Sequence, residues 1–238
     1  YIVMALSHSP LIVTDGLVLC LDAANKKSYS GSGTTWTDRS GNGNNGTLVN
    51  GPTFDSGNGG SIDFDGVDDN VNLGNDSSFD LTSEFSLEIF FFGGSGIDSY
   101  GGLLNKAGDG NFGNWGIYGD GSNDYIRFGY RSTNGSQVEI NASSYSDIST
   151  EAWVHYLGVF SGTSLYLYRN GALVSSSGVS ASHQTPQTNS YDAAIGRRLA
   201  NSGYEVDFKV SIAKIYDRAL TSAEVLQNYN AIKSRFGL

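Results

Sequence analysis

The segment of this 238-residue chain best suited to chemistry is an oxygen-rich loop. Asp38-x-Ser40-x-Asn42-Gly43-Asn44 places oxygen side chains at positions 1, 3, 5 and 7, with glycine at 6. A hard cation such as Ca²⁺ takes about six to eight oxygens, and a glycine-rich loop lets alternate side chains converge on it. Position 12 of that pattern is Val49 rather than a glutamate. A calcium site therefore needs a further ligand from another loop, such as Asp65, Asp68 or Asp69. The expected metal set is Asp38, Ser40, Asn42, Asn44, Asp65 and Asp69. The alternative is an Asx-turn loop that bonds its own backbone.

A second constellation is aromatic. Tyr100, Trp115, Tyr118, Tyr125 and Tyr130 cluster in the middle third of the chain. Exposed rings stack on the apolar faces of sugars, while nearby Asn and Asp bind hydroxyls, so these five are the expected glycan-binding residues. On strands, such rings could equally be core. His8, His155 and His183 lack metal-ligand spacing, and His155 reads as a structural histidine. Cys20 stands alone in the apolar run Leu17–Leu21 and reads as a buried thiol. There is no nucleophile elbow, phosphate-binding loop or Cys-x-x-Cys pair. Gly101-Gly102 and Gly119-Asp120-Gly121 read as turns. Sequons at Asn45, Asn75, Asn134 and Asn141 carry weight only where the source glycosylates.

The elements that must position these residues are strands. The chain has 32 Gly and only 3 Pro, which excludes collagen, a coiled coil or a helical bundle. Alternating stretches such as Ile62–Asp65 and Phe85–Glu88, separated by Gly and Asn turns, predict many short strands. Trp153–Phe160 and Leu165–Tyr168 predict a hairpin, followed by an Asn170-Gly171 turn. The expected fold is all-β: an antiparallel two-sheet jelly-roll sandwich with a short C-terminal helix. Thr221-Ser222-Ala223-Glu224 is a capping box, and Val225, Tyr229, Ile232 and Phe236 form one apolar stripe after it. The expected organisation is an N-terminal arm over residues 1–16, a jelly roll over 17–220 and an amphipathic helix over 221–238 packed on the sandwich. A net charge of −10 argues against nucleic-acid binding and against an anionic membrane surface. No apolar run is long enough to span a bilayer, and no secretory leader is visible.

Five runs in order resemble laminin-G-like, concanavalin A-like jelly rolls: Gly60–Asp69, Phe85–Glu88, Trp153–Gly171 with its W-x-H start and LY-x-NG end, Ile195-Gly196-Arg197, and Ile215–Thr221. The resemblance covers residues 17 to 230. It departs at Asn70, where an aromatic is usual, and at Val210-Ser211, where a glycine is. Calcium sites are common in that family, so the resemblance supports Ca²⁺ as a cofactor. The flanking segments Ile12–Leu19, Gly33–Asp38 and Gln227–Gly237 are similar to laminin-G-like proteins of tailed bacteriophages. That implies a non-enzymatic virion structural protein: a head fibre, decoration or cement subunit on the virion surface. Its partners would be other virion proteins or itself, as a homo-oligomer. The alternative is a calcium-assisted carbohydrate-binding module or a tail-fibre receptor-binding part, extracellular or on a cell surface, that meets host glycans. Laminarinase-type hydrolases share the sandwich and use a Glu-x-Asp-x-Glu strand. Here Glu205-x-Asp207 is followed by Lys209, so a glycoside hydrolase is the remote reading.

Overall fold

The structure is a computed structural model. It describes residues 11–97, 99–106, 113–120, 123–147, 150–198 and 204–238, with residues 94–97, 99 and 100 described by backbone alone. In chain order its strands are β1 (Leu17–Asp22), β2 (Thr35–Trp36), β3 (Gly46–Val49), β4 (Thr53–Asp55), β5 (Ser61–Asp65), β6 (Asn70–Gly74), β7 (Phe85–Ile97) and β8 (Ser99–Lys106). There follow β9 (Trp115–Asp120), β10 (Tyr125–Arg131), β11 (Gln137–Asn141), β12 (Trp153–Phe160), β13 (Ser164–Arg169), β14 (Ala172–Gly178), β15 (Ala193–Ile195) and β16 (Val206–Tyr216). Among the described residues there is one α-helix, α1, over Ser222–Ile232.

Two antiparallel sheets stack face to face. The first has the order β14-β13-β12-β7-β16-β5-β4, and β1 continues the β5 side along the second half of β16. The second runs β11-β10-β9-β8-β15-β6-β3-β2. Alternation decides which side chains fill the space between them. On β7, Leu87, Ile89 and Phe91 point inward, and β12 contributes Val154, Tyr156 and Phe160. On β16, Val206, Phe208 and Val210 point inward before a bulge, then Ala213 and Ile215 after it. The departure at Val210-Ser211 therefore lies on that bulge, where the Ser211 hydroxyl donates to the Gly60 carbonyl at 2.7 Å. A second register shift against β7 lies earlier in this eleven-residue strand, between Asp207 and Lys209.

Two features depart from the sequence reading. Gly101 and Gly102 lie inside β8, and Gly119 and Asp120 inside β9, with Gly101 paired to Gly119. They are not turns. Glycine is needed at Gly102 because a Cβ there would crowd the Arg197 backbone. The serine-rich segment Ala172–Gly178 carries no apolar alternation, yet it pairs with β13 as an exposed edge strand.

Gly158 on β12 meets Phe128 of the opposite sheet, and a Cβ there would overlap the aromatic ring. Gly158→Ala is expected to cost about 1–3 kcal/mol by overpacking. A melting temperature equal to wild type would show that the sheets are not in contact there.

The helix begins at its capping box. Glu224 donates its backbone N–H to the Thr221 hydroxyl at 3.3 Å, and the Glu224 carboxylate accepts from the Thr221 N–H at 2.8 Å. Ile232 and Phe236 then pack on Phe90 and Ile212 on the outer face of the first sheet. One half of that outer face is thereby covered, and the other half stays open.

Candidate functional site

The Asp38 loop spends its oxygens on its own backbone. Asp38 Oδ1 accepts from the N–H groups of Cys20 at 2.9 Å and Ser40 at 2.8 Å. Its Oδ2 accepts from the Ser40 hydroxyl at 2.6 Å and the Asn44 N–H at 3.1 Å. The Asn42 and Asn44 amides donate to the Leu17 and Val18 carbonyls. The expectation that Asp38, Ser40, Asn42 and Asn44 converge on a cation is corrected: both Asp38 oxygens are taken up by hydrogen-bond donors, the two Asn amides hold β1 carbonyls, and the loop anchors β1. Asp65, Asp68 and Asp69 form a separate group at the β5–β6 turn, with ligand oxygens within 4.8 Å of one another. An all-oxygen set of this kind suits a hard cation. If one binds, these three carboxylates would hold it. Burial and the neighbouring carboxylates of Asp65, Asp68 and Asp63 push the Asp69 carboxyl up. A carboxyl raised in the folded state loses stability as pH rises through its folded value. Asp69→Asn, which keeps an acceptor for the Asp65 N–H, is therefore expected to raise the melting temperature slightly at neutral pH in chelator. Added Ca²⁺ is expected to stabilise wild type and not the variant. Equal responses of the two proteins to Ca²⁺ would remove the cation from this turn.

The aromatic set is also corrected. Trp115, Tyr118 and Tyr130 are fully buried. The Trp115 ring packs edge-on against Phe79 and donates to its carbonyl at 2.8 Å. Tyr130 packs against Phe160 and Phe85, and its hydroxyl donates to the His183 carbonyl. Tyr118 lies along Gly116, with Arg198 over its ring. Tyr125 is half-buried, and the Arg127 guanidinium covers its face at 5.1 Å. The side chain of Tyr100 lies outside the described residues. Three of the four described rings are thus buried, and the fourth, Tyr125, has Arg127 over one face.

Two other rings, each partly exposed, lie on the outer face of the first sheet. On the open half of the first sheet's outer face, pairing registers Trp153 of β12 opposite Phe92 of β7, Phe92 opposite Lys209 of β16, Lys209 opposite Asp63 of β5, and Asp63 opposite Thr53 of β4. Five strands thus give one outward residue each to a single row, about 19 Å long at ordinary strand spacing. The row floors a trough. At one end a depression of about 340 Å³ is lined by Asp63, Asp65, Asp69 and Asp207. It continues past Asp207, Phe92 and Glu151 to a hollow between Trp153, Asp55 and Asn58. Phe92 and Trp153 are each half-exposed and meet edge to face, with centroids 5.6 Å apart.

The surroundings fix these groups. The Asn58 side-chain carbonyl accepts from Trp153 Nε1 at 2.8 Å, while its amide donates to the Arg235 carbonyl. Phe236 backs the indole at 4.6 Å. Lys209 Nζ reaches Asp55 at 2.7 Å and Asp63 at 3.0 Å. The Lys209 hydrogen bond, with the Gly57 N–H, holds the Asp55 carboxyl below its usual range, and the same Asp55 hydrogen bond raises Lys209. Sequence reasoning missed this row. Its signal lay in Trp153 and Phe92, each at an end of an apolar run, where alternation turns a large ring outward.

Beneath the helix sits a buried ionic network. Glu88 Oε1 accepts from Lys214 Nζ at 2.9 Å and lies 3.3 Å from His155 Nε2, while Oε2 accepts from the Asn228 amide at 2.7 Å. Asn228 also accepts from the Val13 N–H at 2.8 Å. The network ties α1 and the Val13 strap to the sheet, which sets the wall behind Trp153. His155 is thus a buried structural group, although its Nδ1 has no partner.

The Glu205-x-Asp207 pair does not form a catalytic dyad. Glu205 precedes β16, is buried and pairs with Arg197 at 3.2 Å, whereas Asp207 is exposed. Among the described residues, no helix is long and apolar enough to cross a membrane.

Residues 65–226 match a laminin G family model described as the concanavalin A-like lectin/glucanases superfamily. No curated protein sequence matches the chain significantly. Among solved structures, the binding domain of a Paraclostridial mosquitocidal protein is 18% identical, with a TM-score of 0.71 over 92% of this chain and 52% of that one. A structure of botulinum neurotoxin type C, whose cell entry depends on interaction with two ganglioside molecules, is 15% identical, with a TM-score of 0.68 over 92% and 52%. A Trypanosoma rangeli sialidase is 16% identical, with a TM-score of 0.60 over 91% of this chain and 33% of its own. The chain spans about half the length of the toxin chains. At these identities the likeness is one of fold.

Proposed function

Because the chain belongs to the concanavalin A-like lectin/glucanases superfamily, we propose that it is a non-catalytic glycan-binding module whose site is the Trp153–Thr53 trough. The observation that carries this is the cross-strand row itself. Two half-exposed rings lie in line with a lysine and a carboxylate that already hold each other in place. Sugar rings present apolar C–H faces beside hydroxyls, and a site for them needs aromatic surface with a few fixed polar groups. Fold neighbours that interact with gangliosides or act as sialidases support the same class of ligand. Calcium assistance, if it operates, enters at Asp65, Asp68 and Asp69 beside the trough. A glycan array read with and without chelator tests the proposal. Binding to a defined set of oligosaccharides supports it, and uniform silence contradicts it.

The finer reading is that the module is displayed on a virion as a head fibre, decoration or cement subunit, or as a tail-fibre receptor-binding part. The phage-like flanking segments support it, and so does their placement. Leu11 is 84% exposed and Leu226 47%, and the Gln227 amide donates to the Leu11 carbonyl, so both leucines lie on one flank. Such a flank suits attachment, and repeated copies would turn weak sugar contacts into avidity. Absence of the chain from purified virions would contradict this reading and leave the glycan site untouched.

A further inference from the structure

The trough is one-sided in charge, and this bears on which sugar it takes, given the reading of it as a glycan site. Lys209 is the basic group at its centre, and Asp55 and Asp63 hold it at 2.7 and 3.0 Å. Arg235, at the far end, is bound by Asp22 at 3.1 Å. Both cations are therefore committed to carboxylates of the protein. Asp207 and Glu151 are exposed in the same trough beside Phe92. Neither makes a salt bridge to a lysine or arginine among the described residues, and the Asp65–Asp69 turn adds further negative charge next to Asp207.

An acidic sugar lying along this row would set its own carboxylate among uncompensated ones. An N-acetylated sugar would bring only neutral amides. A free amino sugar brings an ammonium with three donors, which meets Asp207 and Glu151 directly and can also lie against the Phe92 and Trp153 rings. From these features we infer that the trough selects glycans carrying free amino groups, as in oligomers of glucosamine, over N-acetylated and acidic ones. Several partly exposed ion pairs of ordinary strength combine to about a tenfold preference, equivalent to about 1.4 kcal/mol.

The test is calorimetric titration of the whole chain at about pH 6 in EDTA and low salt. The ligands are a glucosamine tetramer, its fully N-acetylated counterpart and a sialylated trisaccharide, with oligolysine as a non-sugar cation. The expected result is a Kd about tenfold lower for the glucosamine tetramer than for the acetylated one, and no heat with the sialylated sugar. The double variant Asp207→Asn, Glu151→Gln changes two exposed side chains and should fold normally. It is expected to shrink the preference, read as the ratio of the two tetramers' Kd values, to about twofold or less. Equal affinities for the two tetramers in wild type overturn the inference and leave the glycan site standing. Silence with every sugar overturns both, and heat from oligolysine alone points instead to a cationic peptide and also overturns the inference.

Discussion

Glu88→Ala is expected to lower the free energy of unfolding by about 3–5 kcal/mol, because it strands a buried ammonium without its partner. Glu88 and Lys214 are fully buried, and Glu88 also takes the Asn228 amide of α1. Removing the carboxylate therefore loosens the helix as well as the sheet. In a domain of this size each kcal/mol is worth about 2–4 °C, so the melting temperature should fall by roughly 10 °C. Pairing Glu88→Leu with Lys214→Met removes both charges and should recover part of the loss. A wild-type melting temperature for Glu88→Ala would mean that the network does not hold α1.

The same network sets the acid sensitivity of the fold. Burial alone would raise the Glu88 carboxyl, but Lys214 and the His155 hydrogen bond outweigh it and hold it at about 2, against 4.5 in the unfolded chain. A carboxyl lowered in this way contributes stability that is present above 4.5 and is lost as pH falls toward 2. Burial lowers His155 from 6.5, and Glu88 restores only part. The unfolded chain therefore takes up that proton first, and stability begins to fall as pH drops through 6.5. Both groups act in the same direction. Melting curves should show a decline starting near pH 6.5 and steepening below 4.5, with the steeper limb flattened in Glu88→Ala. A melting temperature that rises on acidification through this window would contradict the arrangement.

The second large effect is on binding. Trp153→Ala is expected to weaken glycan affinity about 30-fold, the loss typical of a central aromatic anchor of about 2 kcal/mol. The indole also packs on Phe236 and Phe92, so the variant should lose some stability as well. Trp153→Phe separates the two effects. It keeps a ring against the sugar but loses the Nε1 hydrogen bond to Asn58. It should recover most of the affinity, because the stacking surface and not the N–H is what the sugar meets. Tyr118→Phe serves as the counter-example: its ring is buried, so glycan affinity should not change.

Legibility in the sequence varies by element. Strands with clean alternation, such as Ile62–Asp65, could be read directly, and so could the Asn170-Gly171 turn and the Thr221–Glu224 capping box. Each of these signals is local. The bulge at Val210/Ile212 was visible only as a departure from a family pattern. The Ala172–Gly178 strand carries no apolar alternation, because it is an edge held by backbone pairing. The site was not legible for a different reason. Whether a ring is bare depends on which outer face it lies on and what covers that face. Phe90 and Phe92 both point outward from β7, but α1 and its 3₁₀ extension bury the first and leave the second open. Likewise, Asp38 and Asp69 are equally acidic in sequence. One is consumed by three hydrogen-bond donors of its own loop and one of β1, and the other sits among carboxylates.

The central claim is that sugar lies along the row from Trp153 to Thr53, and residue-resolved NMR titration with an array-positive oligosaccharide tests it most directly. Saturable shifts at the Trp153 indole N–H, the Asn58 side-chain amide and the Lys209 and Asp63 backbone amides are the predicted result, with β9 and β10 of the opposite sheet unmoved. Shifts confined to β9–β11, or to the Asp38 loop, would place the ligand elsewhere and contradict the account.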